Sequence, residues 1–316
     1  MRRVFLLVLV FFTLTTAFAV LESDPSCILD RLLAVLNPSA SPAAPAASGR
    51  EAAPSSPSGR LTLATWNIRR FSSRSRDDAE LARICDVLER YDLIAVQELL
   101  DADALRRCAA ELARRGKPFS FLVSDPVGRG VKERYGFLYR SDLLSASHPR
   151  LYPDTMDRFI REPYYADFRC GDFDFTLLTV HIIYKSKRAP EREMELDALA
   201  SAFEYVQKRN GPENDVILTG DFNEEPGSPR FARLTGIDSL VMLVRGVKTT
   251  ISDSSTYDQI VFQERYTAHE FTGRWGVFRF DEEMYGDEDR KASLQVSDHR
   301  PVWAVFRTDA GDDDEN

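Results

Sequence analysis

The sequence predicts an α/β domain of two packed mixed β-sheets flanked by helices, a four-layer α/β sandwich, on three observations. Apolar runs of strand length alternate with amphipathic helical runs from Leu61 to about residue 307, the order that layers helices onto sheets. No second linker interrupts that stretch, so its elements belong to one domain. With 43% hydrophobic and 11% aromatic residues, the chain can fill a sizeable core and lacks a disordered composition.

The chain opens with Arg2-Arg3 and an apolar run from Val4 to about Val20, in which Ala17-Phe18-Ala19 has the small-x-small form of a signal-peptidase site. Residues 1–19 therefore read as an export signal, giving a secreted or periplasmic protein with no stable membrane association once cleaved. The competing reading is an uncleaved membrane anchor, since the run reaches the lower limit for a bilayer span. Residues 20–60 hold a short amphipathic stretch, Cys27–Leu36, and a Pro/Ala/Ser-rich segment with the composition of a flexible linker. The folded domain is expected over 61–308, with an acidic, solvated tail at 309–316.

Leu61–Trp66 reads as the first strand. Asp77–Arg90 has Leu81, Ile84 and Leu88 at helical spacing, with Asp77-Asp78 at its positive end. A second strand at Tyr91–Gln97 and a second helix at Asp101–Arg115 follow. Strands are expected at 118–124, 134–140, 164–169 and 174–181, then a longer helix at about 190–209 and a strand at 215–220. Residues 247–262, 269–280 and 302–307 read as β-rich, and Lys291–Val296 as a buried strand. Cys27, Cys85, Cys108 and Cys170 lack metal-site spacing. Cys85 and Cys108 fall on consecutive helices and form the candidate bridge in an oxidising compartment; two small buried hydrophobes is the other reading.

The formal net charge of −9 disfavours non-specific affinity for nucleic acid. It does not exclude an enzyme that meets phosphate through local arginines and divalent cations. Gly220-Asp221-Phe222-Asn223 and Ser297-Asp298-His299-Arg300-Pro301 put carboxylates, a carboxamide and an imidazole at strand ends, where sites are grafted on scaffolds. Asp221 and Asn223, two apart on an extended segment, point the same way. Hard oxygens suit Mg²⁺, Mn²⁺ or Ca²⁺, and an imidazole moves protons near neutral pH, so the pair points to metal-assisted hydrolysis. Only four histidines occur. His181 ends the apolar run Phe175–Val180, and His299 follows Asp298 at a strand start; His148 and His269 read as structural.

Thr65-Trp-Asn67-Ile-Arg69, Val96-Gln-Glu98, His181, Gly220-Asp-Phe-Asn223, Tyr257-Asp258 and Ser297-Asp-His299 occur in the order of the endonuclease/exonuclease/phosphatase superfamily. The chain resembles that superfamily over residues 61–307. It looks most like the pancreatic-type secreted deoxyribonucleases. Val123–Arg129 with Lys132–Arg140, Arg161-Glu-Pro163 and Thr256–Val261 drive that choice. The resemblance implies a deoxyribonuclease-like fold and DNA as substrate. It implies that Glu98, with Asn67 and Asp298, holds Mg²⁺ (or Mn²⁺ or Ca²⁺). It further implies that His299, held by Asp258, and His181, held by Glu133, form an acid–base pair. Asp221 and Asn223 would orient water and the scissile phosphate, and Arg69, Arg161 and Tyr257 would contact substrate.

Departures fall on duplex-gripping elements rather than chemical ones. Leu99-Leu100 stands where those enzymes carry a minor-groove Arg, and Val131 where a Tyr packs on deoxyribose. Their structural cysteines are also absent. The segment from Tyr184 through Arg188 to Arg192 is basic and either supplies substitute phosphate contacts or is a solvated helix start.

The function expected is an exported, divalent-metal-dependent endonuclease cutting DNA, a monomer with no protein partner implied. One alternative keeps the fold and acts on a phospholipid or an inositol phosphate, although no long exposed apolar hairpin supports a lipid-facing enzyme. An abasic-site repair role is disfavoured by the export signal. A non-catalytic binding module is disfavoured because each position above retains a competent residue.

Overall fold

Twelve strands in two six-stranded sheets make up the computed structural model, which describes residues 59–184, 189–209, 215–286 and 288–311. The segments read as an export signal and a linker, Cys27 and most of the acidic tail lie outside the described residues, as does part of the basic segment after Tyr184.

The first sheet contains β1 (Arg60–Phe71), β2 (Leu93–Leu99), β3 (Phe119–Val123), β4 (Arg134–Arg140), β11 (Phe271–Val277) and β12 (Val302–Arg307), in the order β11-β12-β1-β2-β4-β3. The second contains β5 (Ser145–Leu151), β6 (Tyr164–Cys170), β7 (Phe173–His181), β8 (Val216–Asp221), β9 (Leu240–Met242) and β10 (Asp258–Gln263), in the order β5-β6-β7-β8-β10-β9. Each sheet has one parallel pair at its centre, β1 with β2 and β7 with β8, and is otherwise antiparallel.

Strand alternation divides the side chains into three apolar layers. Leu61, Leu63, Leu93 and Ala95 meet Phe175, Leu177, Ile217 and Ile260 between the sheets. Ala64, Trp66, Ile94 and Val96 turn the other way, onto α1 (Asp78–Leu88) and α2 (Ala102–Arg114) through Ile84, Leu88, Leu105 and Leu112. Leu178, Val180, Val216 and Leu218 cover the outer face of the second sheet with α3 (Ala189–Arg209), through Leu196, Leu199, Phe203 and Val206. Each fully buried Leu or Val contributes about 1.5–3 kcal/mol. The result is the four-layer sandwich expected. α1 begins where a capping box fixes it, with the Asp77 carboxylate accepting from the Glu80 N–H and Glu80 reaching back to Asp77.

In the last third of the chain, β10, β11 and β12 fall on segments expected to be β-rich, while two other segments depart from expectation. Lys291–Val296 is not a strand: Asp289–Gln295 forms a helix, and Leu294, which a buried strand would cover, is 56% exposed. Ala292 and Val296 are buried four residues apart, the helical spacing. Residues 247–257 form a loop rather than a strand, closed by backbone bonds from Thr249 and Thr250 to Ser255. Further helices occupy Ala232–Thr235, Glu264–Thr267 and Phe280–Tyr285, and β5 and β9 add edge strands. Cys85 and Cys108 lie side by side on α1 and α2, as consecutive helices require, but both are buried free thiols. They serve as small hydrophobes. Among the described residues, no helix is long and apolar enough to cross a membrane.

Candidate active site

The alternation that builds the inter-sheet core also builds the site. Along β1 the inward series runs Leu61, Leu63, Thr65, Asn67; along β7 it ends Leu177, Thr179, His181; along β8 it ends Ile217, Thr219, Asp221. Thr65 and Thr179 are joined across the two sheets by the Gln97 amide, at 3.0 and 2.9 Å. Above that polar layer lie Asn67, His181 and Asp221, with His181 opposite Asp221 in register and Asp221 opposite Asp258.

Glu98 has the wrong parity for this face, and local backbone corrects it. Its φ is +57°, at a register shift between Val96 and Leu99. There its carboxylate accepts from the Asn67 Nδ2 at 3.1 Å and the Arg70 N–H at 2.9 Å. Asn223 is also left-handed, φ +47°, so it does not continue the extended segment expected for Gly220–Asn223. The kink still brings it to Asp221: its N–H donates to Asp221 Oδ1 at 2.9 Å, and its amide to the Ile182 carbonyl at 2.8 Å. Gly220 is obligatory, because a Cβ there would fall 2.0 Å from the Val180 carbonyl oxygen. Left-handed non-glycine residues cost on the order of 1–3 kcal/mol each and gather where surrounding structure enforces them.

Two histidine–carboxylate couples converge on Asp221. His181 Nδ1 meets Glu133 Oε1 at 2.6 Å, and its Nε2 lies 3.6 Å from Asp221 Oδ2 and 4.0 Å from Glu98 Oε1. His299 Nδ1 meets Asp258 Oδ2 at 2.9 Å, and its Nε2 lies 3.7 Å from the same Asp221 oxygen. Burial opposes charge on His299, but Asp258, Asp221 and Asp298 outweigh it and lift the imidazole to about 10. His181 is raised as well, burial being overcome chiefly by Glu133. Burial raises Asp258 despite its imidazole partner. For Glu98, burial is outweighed by His181, the Arg70 N–H, Asn67 and His299, which lower it and keep it ionised.

An open cleft of about 1060 Å³ exposes Glu98, His181, Asp221, Asn223, Asp298 and His299, with Arg161 and Tyr257 on its walls. Asn67, Glu133 and Asp258 are buried behind it. Arg69 is not itself among the lining residues but bonds two that are, the Ser293 carbonyl and hydroxyl and, at 3.6 Å, Asp298. Arg161 spends much of its fork on Glu133 at 2.9 Å and the His181 carbonyl at 3.2 Å.

The donor set fits a hard cation in one respect that can be checked. Asn67 Oδ1 is buried without a hydrogen-bond partner beside the ionised Glu98, an oxygen a divalent ion would satisfy. Asp298, 47% exposed, can complete the set. Asp221, Asp258 and His299 also bring one ligand atom each within 4.8 Å of one another. There, however, the imidazole supplies the balancing charge, and its Nδ1 is engaged by Asp258.

Several positioning groups escaped the sequence reading. Glu195 on α3 is fully buried and accepts from the Ile160 and Ile183 N–H groups at 2.7 and 2.8 Å, tying down the loops beside Arg161 and His181. Its signal was position: it shares a helix face with buried Ala198 and Ala202. The Tyr135 hydroxyl accepts from the His181 N–H, and Trp66 Nε1 donates to the His299 carbonyl at 2.7 Å. Arg300, 1% exposed, forms a two-pronged bond to buried Asp281.

The model of the Endonuclease/Exonuclease/phosphatase family matches residues 64–299. A deoxyribonuclease from Thioalkalivibrio sp. (strain K90mix) is 32% identical over 272 residues, covering 80% of this chain and 73% of that protein. Deoxyribonuclease-1-like 2 of Mus musculus is 29% identical over 266 residues, covering 78% and 92%. The solved structure of an endonuclease/exonuclease/phosphatase from Bacteroides vulgatus shares the fold, with a TM-score of 0.57 at 16% identity, covering 78% of this chain and 98% of that one.

Proposed function

Because the chain belongs to the endonuclease/exonuclease/phosphatase family, we propose that it is an exported, divalent-metal-dependent endonuclease that hydrolyses DNA phosphodiester bonds with His181 and His299 as its acid–base pair. The observation that carries this reading is the convergence of two His–carboxylate couples on Asp221, at 3.6 and 3.7 Å, within one cleft. Relatives named deoxyribonuclease support DNA as the substrate.

In-line displacement at phosphorus needs a proton removed from the attacking water and one delivered to the leaving 3′-oxygen. Glu133 and Asp258 each hold an Nδ1–H, which leaves both Nε2 atoms facing the reaction. One imidazole takes the proton of water and the other gives its proton to the leaving oxygen. Asp221 and Asn223 orient the water and the scissile phosphate. Arg161, with Tyr257, borders the phosphate, and Arg69 steadies Asp298. Glu98, with Asn67 and Asp298, would hold Mg²⁺ (or Mn²⁺ or Ca²⁺), which supplies positive charge to offset that developing on phosphoryl oxygens.

The purified protein should nick supercoiled plasmid with Mg²⁺ or Ca²⁺, lose that activity in EDTA, and leave sphingomyelin and phosphoinositide untouched. Cleavage of either lipid with plasmid intact would overturn the DNA reading. Secretion with a mature N-terminus at Val20 is the matching result for export.

A further inference from the structure

One aromatic side chain in the cleft is left unused by this chemistry. Tyr184 lies three residues beyond His181, lines the cleft, and is 55% exposed. Its ring centroid is 6.2 Å from that of Tyr257, tilted by 54°, and Tyr257 immediately precedes the Asp258 that holds His299. The two rings form an aromatic step at the edge of the proposed reaction centre. Val131, 81% exposed, lines the same cleft and adds apolar surface.

Among the described residues the basic groups around this step are mostly balanced already; Lys185, Lys187 and Arg188, which follow Tyr184, lie outside them. Arg161 is paired with Glu133, Arg129 with Asp157, Arg69 with Asp298 and Arg192 with Glu224; Arg290 also lines the cleft. Among the described residues few unpaired cations line the cleft, and a chain charge of −9 does not favour the long ladder of phosphate contacts that is the usual source of affinity for duplex. Stacking is the alternative source of affinity, and it needs an exposed base face. Paired bases within a duplex bury their faces on one another, whereas an unpaired strand offers them to an aromatic platform.

We infer that Tyr184, backed by Tyr257, is a stacking platform for an unpaired nucleobase next to the bond that is cut, so that the cleft takes single-stranded DNA in preference to duplex. This rests on the DNA-hydrolysing reading above. Tyr257 sets the base beside the reaction centre, and Tyr184 provides the open face.

The test is fluorescence anisotropy of the full chain with a labelled oligothymidine and with a duplex of equal length, both in EDTA, alongside cleavage of the same two molecules with Mg²⁺. Wild type should bind the single strand more tightly. Tyr184→Ala should weaken single-strand binding about tenfold or more and duplex binding little, and Tyr184→Phe should restore it. The platform is overturned if Tyr184→Ala leaves the single-strand affinity unchanged or weakens both substrates equally. If wild type binds the single strand through Tyr184 yet cuts neither molecule, the platform stands and the nuclease reading falls. Tyr184 is exposed, so Tyr184→Phe and Tyr184→Ala keep the same fold, which circular dichroism checks.

Discussion

His299 carries its proton because three carboxylates surround it, and that has a consequence for stability. Its folded value of about 10 lies above the ordinary 6.5, so the stabilisation from its partners is fully present below pH 6.5 and is lost as pH rises towards 10. His181, raised mainly by Glu133 against burial, adds in the same direction. In EDTA, thermal unfolding followed between pH 6 and 10 should show a falling Tm, and His299→Ala should flatten that slope. A slope identical in wild type and variant would contradict the charge state assigned to His299. These couples were legible in the sequence because histidine is scarce, four in the chain, and the key two sit at strand ends, His181 closing an apolar run and His299 following Asp298. Glu195 was not legible in the same way. It lies in a run rich in acids, and only its place on the buried helix face distinguishes it from its solvated neighbours.

Among the elements, the first two-thirds of the domain followed its apolar periodicity closely, and the final third did so only at β10, β11 and β12. Ala292, Leu294 and Val296 alternate as a strand would, yet the segment is too short for its pattern to separate a strand from a single helical turn. Packing against its neighbours decides it, leaving Leu294 in water. The edge strands β5 and β9 were equally hard to read, since β5 is mostly exposed and carries Pro149. What joins these late elements is Arg300. It ties Asp281, at the start of the Phe280–Tyr285 helix, to Asp253 and the Ile251 carbonyl of the 247–257 loop, while its N–H donates to the Thr249 carbonyl. Removing one partner of a buried ion pair strands the other, at a cost of about 3–5 kcal/mol. Arg300→Met should therefore lower stability by about that much in denaturant unfolding, and Arg300→Met combined with Asp281→Leu should recover a large part. Equal loss in the single and double variants would show that the buried charge is not the cause.

At the scale of the whole molecule, the two sheets do one thing that neither does alone. Their facing strands share an apolar inner layer that becomes polar at one end, through Thr65, Gln97 and Thr179, and then ionisable, through Asn67, His181 and Asp221. The sandwich was legible because alternation along each strand is a sequence property. The left-handed turns at Glu98 and Asn223, which bring off-parity side chains into the site, have no such periodic signature. The account stands on His181 and His299 working as one unit. The most direct measurement is the rate of plasmid nicking in Mg²⁺ by wild type, His181→Ala, His299→Ala and the double variant, each checked for fold by circular dichroism. Each single substitution should cost about 10²–10⁴-fold, and the double variant little more than the worse single, as for groups that act together. Single variants that retain wild-type nicking would contradict it.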